Sequence, residues 1–321
     1  MALTIDTHHH LLPDFFFEAT NEIENPVGGL KPQAWSPEIS LSFMDEAKID
    51  IAILSISTPG IQLLDRQKGR DLARRCNELS ASLISKYPAR FGAFAAIPMG
   101  SHIDDAREEV IYALDVLKMD GVVLFTNSNG IYLGDPTLRP LFAELQKRKA
   151  VVYVHPNASP DLIAHSLGIT DNLIDFPADT TRAVAELHYR GTFAATPDVK
   201  YIFSHGGGTI PYLAGRLAIV DEMKIMGDSS VTGTAAEAFR KLYWDTALAY
   251  SDPVLYTLLH VAGLNNILFG TDFPYLRRDM AVNCRNKIEH SKALLDLDTE
   301  LVLGENALEL FPRFKNIYNG S

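Results

Sequence analysis

Eight times along this chain a short, nearly unbroken apolar run is followed by a longer segment with helical spacing. The runs are "LTIDTHH" (3–9), "DIAILSIS" (50–57), "FGAFAAIP" (91–98), "GVVLFT" (121–126), "VVYVHP" (151–156), "KYIFSHGG" (200–207), "LYWDTAL" (242–248) and "NILFGTDFP" (266–274). Most are rich in Val, Ile, Phe and Tyr and apolar at successive positions, as strands buried on both faces are. Between them lie helical stretches. "GRDLARRCNELSASLISKY" is one, and "SHIDDAREEVIYALDVLKM" another, with Ser101 before an acidic first turn as a cap would stand. "DPTLRPLFAELQKRKA" sets Asp135 before Pro136, and "DTTRAVAELHYRGTFAA", "IPYLAGRLAIVDEMK" and "SDPVLYTLLHVAG" follow. Alternating strand and helix specifies parallel α/β structure. Eight units predict a closed (β/α)8 TIM-type barrel, one domain over residues 1–321, with an open doubly wound sheet as the alternative. Residues 13–45 exceed an ordinary strand-to-helix connection and hold Gly28-Gly29, Trp35 and three prolines after Pro13. They predict a long irregular insert after the first strand, lying over the barrel mouth.

Composition narrows the partners. The chain has 321 residues, 47% of them hydrophobic, enough for a large core. A formal net charge of −11 argues against nucleic acid or an anionic membrane as a partner. Cys76 and Cys284 form no Cys-x-x-Cys pair and fall in predicted helices, so a disulfide framework is excluded and a reducing compartment fits. No apolar run reaches the roughly 18 residues of a membrane span. The start of the chain lacks a basic stretch followed by an apolar one, so the expectation is a cytosolic protein.

The first strand carries the sharpest chemical signal. "LTIDTHHHLLPD" is a poor match to a purification tag, because Leu3, Ile5, Leu11 and Leu12 surround its histidines. On a strand, His8 and His10 share a face with Asp6 while His9 points away. Two imidazoles are too few for a metal site, which needs three or four ligands. In such barrels the catalytic face lies at the carboxyl ends of the strands. His155 ends the fifth run, His205 the sixth and Asp272 the eighth. Four histidines and a carboxylate at one rim predict a metal site. That donor set suits zinc, manganese or iron and does not separate zinc from manganese. Asp245, ending the seventh run, is placed to orient a ligand histidine or to serve only in packing. His9 is either a hydrogen-bond partner or a packing residue, with packing preferred. His102, His165, His188, His260 and His290 fall in helices or loops and read as ordinary.

With these residues in view, the sequence resembles the amidohydrolase superfamily, in the branch of aminocarboxymuconate-semialdehyde decarboxylase and salicylate-type decarboxylases. The matching words run in order through nearly the whole chain: "DTHHHLLP", "MDEAKIDIAILSISTPG", "NELSASLISKYPARFGAFAAIPM", "DGVVLFTN", "VYVHP", "FSHGGGTIPYLAGR" and "FGTDFPY". Their overall run is most like the 6-methylsalicylate decarboxylases of fungal polyketide pathways. The resemblance implies metal ligation by His8, His10, His155 and Asp272, with His205 a catalytic group beside the metal. It implies a homodimer or dimer of dimers in which Arg216 reaches a substrate carboxylate across the interface; by spacing alone Arg216 is a surface helical residue. Barrels of this type often hold two metals bridged by a carboxylated lysine ending the fourth strand. Here that strand ends Phe125-Thr126-Asn127, so one divalent ion is expected, Zn2+ with Mn2+ as the alternative.

One departure matters. A substrate-binding arginine ahead of Met44-Asp45 is missing, and Ser40 and Ser42 occupy its neighbourhood. That disfavours the dicarboxylate aminocarboxymuconate semialdehyde and favours a small aromatic acid that chelates the metal. The expected reaction is non-oxidative decarboxylation of an ortho-hydroxy aromatic acid, 6-methylsalicylate to m-cresol and CO2. Asp272 is the expected ring-carbon proton donor with His205 relaying the proton, and the reversed assignment stays open. Phe125, Phe273 and Trp35 are candidates to line a ring pocket, or else core. The rival activity is metal-dependent hydrolysis of a lactone, amide or ester. A structural metal is disfavoured by the open barrel mouth and the lack of cysteine ligands.

Overall fold

A computed structural model describes the chain except residues 1–2, 22–26, 31–32, 62–63, 101, 158–167, 227–230, 232 and 319–321, and at 27 and 296–297 it describes the backbone alone. Ser101 and His165 lie outside the described residues.

The eight apolar runs form eight parallel strands: β1 (Ile5–His10), β2 (Ile51–Ser55), β3 (Phe91–Ala96), β4 (Gly121–Phe125), β5 (Val151–His155), β6 (Lys200–Phe203), β7 (Tyr243–Asp245) and β8 (Ile267–Leu268). They neighbour one another in chain order. Three bonds join β1 to the segment leaving β8: Thr7 N to Phe269 O (2.9 Å), Asp272 N to His8 O (2.9 Å) and His10 N to Phe273 O (2.8 Å). The first and last strands therefore meet, which an open doubly wound sheet does not allow, and the fold is a (β/α)8 barrel. Every residue of β1 to β5 is buried, which is why the runs of β2 to β5 show no polar alternation, while β1 buries a polar set.

Helices α1 (Asp14–Thr20), α2 (Pro37–Ala47), α3 (Arg66–Lys86), α4 (Ile103–Ile111), α5 (Arg139–Lys147), α6 (Asp171–Tyr189), α7 (Ile210–Met223) and α8 (Asp252–Ala262) accompany the strands, with shorter helical pieces toward the C-terminus. Asp135 does cap, accepting from Thr137 N at 2.8 Å. At α4 the capping position is His102, whose side chain makes no cap bond. Two expectations are corrected. The 13–45 insert is not irregular throughout, since it contains α1 and the start of α2. Ser36 caps α2 by accepting from Ile39 N at 3.2 Å, and Pro37 opens it, a signal present in the sequence. Helix α6 begins at Asp171 rather than Asp179. It carries Pro177 in its interior, the residue that makes a sequence reading stop.

The exit of β6 needs glycine. In "HGGG", Gly207 and Gly208 have φ of 74° and 65°. A Cβ on Gly207 would overlap the Trp244 ring, and one on Gly208 would overlap the Pro177 backbone. The turn thus lies against β7 and α6, where a side chain has no room. Gly207→Ala is expected to destabilise the protein by ~2 kcal/mol or more. Gly215→Ala, in open space on α7, should be neutral or stabilising. Thermal unfolding of the two variants checks this, and equal midpoints would refute it.

Candidate metal centre and active-site cavity

His8, His10, His155 and Asp272 come together at the carboxyl ends of β1 and β5 and just beyond β8. One donor atom from each lies within 4.8 Å of all the others. The geometry fixes how the imidazoles face. His8 Nδ1 bonds Asp245 Oδ2 at 2.9 Å, His10 Nδ1 bonds Ser55 O at 3.3 Å, and His155 Nδ1 bonds Pro156 O at 2.9 Å. Each Nδ1 proton is spent on an acceptor outside the cluster, so each Nε2 is left for the centre. His8 Nε2 and His10 Nε2 stand 3.2 Å apart, and Asp272 Oδ1 lies 3.3 and 3.0 Å from them. Donors bound tetrahedrally to a cation at ~2.0–2.2 Å are spaced about 3.3–3.6 Å. The residues present fit one divalent ion.

The electrostatics point the same way. Burial pushes the His8 imidazole down, but Asp245 and Asp272 outweigh it and raise it to about 10. Burial pushes Asp272 up, but His8 and the bonds from His10 and His205 hold its carboxyl well below the usual carboxylate range. Burial, then neighbouring His10, His8 and His205, hold His155 well below the ordinary histidine value. The field of the two carboxylates calls for positive charge among buried imidazoles, and a metal ion supplies it without protonating a ligand.

Asp245 does more than orient one ligand. Its Oδ2 takes His8 Nδ1 and the Tyr153 hydroxyl (3.3 Å), while Oδ1 takes the backbone N–H of His205 (2.9 Å) and of Ala247 (3.0 Å). One carboxylate thus ties a metal-facing histidine to the strand end that presents His205. Asp245→Asn is expected to weaken metal binding ~10–100-fold while the chain still folds. Metal-binding isotherms check this, and an unchanged affinity would count against the orienting role.

His205 and Asp272 are both held at positive φ, 54° and 61°. This region is sparse for non-glycine residues, and strain of this kind collects at functional sites. Asp272 divides its oxygens: Oδ1 faces His8 and His10, and Oδ2 lies 3.7 Å from His205 Nε2. His155, His205 and Asp272 line a cavity of about 440 Å³, within the range of small-molecule sites. Ser57, Thr58 and Tyr275 add polar surface. Leu30, Leu173, Phe176, Pro177, Leu248 and Val254 make its apolar wall. Among the described residues no lysine or arginine lines it.

Of the two readings of Trp35, Phe125 and Phe273, pocket wall or core, the packing favours core. Trp35, Phe125 and Phe273 do not line the cavity. Trp35 is buried with Nε1 on Ser40 Oγ (3.0 Å), Phe273 stacks on Phe43 at 3.9 Å, and Phe125 packs against the His155 ring at 5.9 Å. Their rings are worth more in the core than at the mouth. Asp6 does not face the centre with His8 and His10. The pairing of β1 with β2 shifts register between Asp6 and His9, and the Asp6 carboxylate bonds His9 Nδ1 at 3.1 Å. His9 is therefore hydrogen-bonded on both nitrogens, with Nε2 on Ser40 Oγ at 2.9 Å, rather than merely packed. Ser40 is fully buried in that network and Ser42 bonds Arg278 at the surface, so neither faces the cavity. Arg216 is exposed on α7, away from the lining of its own cavity, as either a surface helical residue or one that reaches a second subunit would be. The apolar wall was missed because its α6 residues precede the expected start of that helix.

Residues 5–313 match the amidohydrolase family (Amidohydro_2). The 6-methylsalicylic acid decarboxylase of Aspergillus aculeatus is 35% identical over 323 residues, spanning 98% of this chain and 97% of its own length. That of Penicillium expansum is 33% identical over 316 residues, spanning 98% and 97%. Among solved structures, an amidohydrolase II superposes with a TM-score of 0.90 at 28% identity, over 96% of this chain and 99% of that one.

Proposed function

Because this chain belongs to the amidohydrolase family, we propose that it is a metal-dependent, non-oxidative decarboxylase of ortho-hydroxy aromatic acids, with 6-methylsalicylate as substrate and m-cresol and CO2 as products. The observation that carries the reading is a three-histidine, one-aspartate donor set, two of whose members, His155 and Asp272, line an apolar cavity with no described lysine or arginine. Such a cavity suits an uncharged aromatic ring with one metal-seeking head. Among the described residues it offers no lysine or arginine to a second carboxylate, which argues against aminocarboxymuconate semialdehyde.

His8, His10, His155 and Asp272 would hold one divalent ion, zinc first and manganese as the alternative. When bound, that ion supplies Lewis-acid polarisation and a clamp for the substrate carboxylate and phenolate oxygens. The protein supplies the proton. His205, which lines the cavity with Asp272, holds it, and Asp272 Oδ2, 3.7 Å from His205 Nε2, delivers it to the ring carbon that bears the carboxylate. The new C–H bond forms there, the bond to the carboxylate carbon breaks, and its electron pair restores the aromatic ring as CO2 leaves. The apolar wall holds the ring plane and keeps water from competing for the proton.

The reading extends to a homodimer. Tyr212, Arg216, Ile219 and Met223 follow one another at helical spacing on the outer face of α7, and all four are exposed. An apolar stripe with an arginine in it is a surface suited to a second copy. Among the described residues no helix is long and apolar enough to cross a membrane.

The test is direct. Metal-loaded protein incubated with 6-methylsalicylate should yield m-cresol and CO2 in equal amounts, and a chelator should stop both. A metal-loaded protein that opens lactones and releases CO2 from no hydroxybenzoate would overturn the decarboxylase assignment.

A further inference from the structure

Asp6 is fully buried in β1 between the metal-facing histidines and Thr271, and its described hydrogen bonds go to none of the metal-facing side chains. Its carboxylate accepts four hydrogen bonds: Thr271 N (3.0 Å), Thr271 Oγ1 (2.6 Å), His8 N (3.1 Å) and His9 Nδ1 (3.1 Å). The last of these fixes the tautomer of His9 and leaves its Nε2 as an acceptor. Trp35 Nε1 can only donate, and it donates to Ser40 Oγ (3.0 Å). The Ser40 hydroxyl proton then goes to His9 Nε2 (2.9 Å). The donors run one way, from Trp35 through Ser40 and His9 to Asp6, and each group in this buried chain has its partner.

The far end of the chain is what gives it a purpose. Thr271 immediately precedes Asp272, and its Oγ1 also accepts from Phe273 N at 3.2 Å. The residues on both sides of Asp272 are thus tied, directly or through Thr271, to Asp6. Asp272 itself has φ of 61°, a conformation that persists only where surrounding bonds over-determine it. That conformation accompanies the division of its carboxylate, with Oδ1 toward His8 and His10 and Oδ2 toward His205.

We propose that Asp6 and His9 are positioning residues, a buried clamp that holds residues 271–273 so that Asp272 serves the metal with one oxygen and His205 with the other. The central histidine of the triplet is then part of the machinery. The clamp also ties the insert, through Trp35 and Ser40, to the strand end that carries Asp272. The inference rests on the role given to Asp272 above.

The experiment uses cobalt(II)-loaded protein, whose visible absorption bands report the metal's coordination independently of turnover. Thr271→Val removes the Oγ1 bonds while keeping the side-chain shape. His9→Leu breaks the chain, and His9→Asn returns a donor where Nδ1 stood. Thr271→Val and His9→Leu should bind one cobalt per chain with shifted bands. Their kcat on 6-methylsalicylate should fall ~10-fold or more with KM changed less than about two-fold. His9→Asn should recover most of that loss. Parent-like bands and kcat in Thr271→Val would overturn the clamp, as would loss of cobalt in step with activity. If the parent releases no CO2 at all, the decarboxylase reading fails, while the absorption bands still decide the clamp.

Discussion

His10→Ala is expected to remove the metal and the activity together. His10 Nε2 lies 3.2 Å from His8 Nε2 and 3.0 Å from Asp272 Oδ1, so it belongs to the tightest part of the donor set. Alanine leaves three donors and a gap beside the Asp272 carboxylate. Decarboxylation without the ion would rely on the cavity alone. Since enzymes commonly accelerate their reactions ~10⁶-fold or more, a loss of at least ~10⁴-fold in kcat/KM is expected. Elemental analysis of the purified variant beside CO2 release checks it, with circular dichroism to show that the barrel is intact. A folded variant that keeps both its metal and its activity would remove His10 from the site.

His205→Asn separates proton delivery from metal holding. Asparagine tolerates the left-handed backbone that His205 adopts, so the substitution tests the imidazole rather than the turn. The imidazole is 3.7 Å from Asp272 Oδ2 and lies outside the four-residue donor set. Metal content should therefore stay at the parent level while kcat falls ~10²–10⁴-fold, the usual contribution of a positioned acid. KM should change little, because the substrate head is held elsewhere. If the metal is lost with the imidazole, His205 is a ligand and the division of labour drawn here is wrong.

The barrel was legible because most of its strands are buried on both faces, so most announced themselves as continuous apolar runs. The metal-facing residues were legible for a related reason: they stand at the ends of those runs, where the fold puts chemistry. Other features depended on tertiary detail that periodicity cannot carry. Strict alternation put Asp6 beside His8 and His10, but a register shift inside β1 turned its carboxylate to His9 and Thr271. Aromatic residues near strand ends read equally as pocket wall or core, and only coordinates show Phe273 stacked on Phe43. The real wall includes Leu173, Phe176 and Pro177, on a helix whose start a proline conceals. Asp245 was visible as a strand-end carboxylate, but its double attachment to His8 and to the His205 backbone needed coordinates.

One divalent ion per chain, acting at His8, His10, His155 and Asp272, underlies the proposed decarboxylation. Adding zinc or manganese stepwise to metal-free protein, while following CO2 release from 6-methylsalicylate, tests it most directly. Activity should begin near zero, rise in proportion to the ion added and level off at about one ion per chain. Full activity with no metal bound, or a rise that continues to two ions per chain, would contradict it.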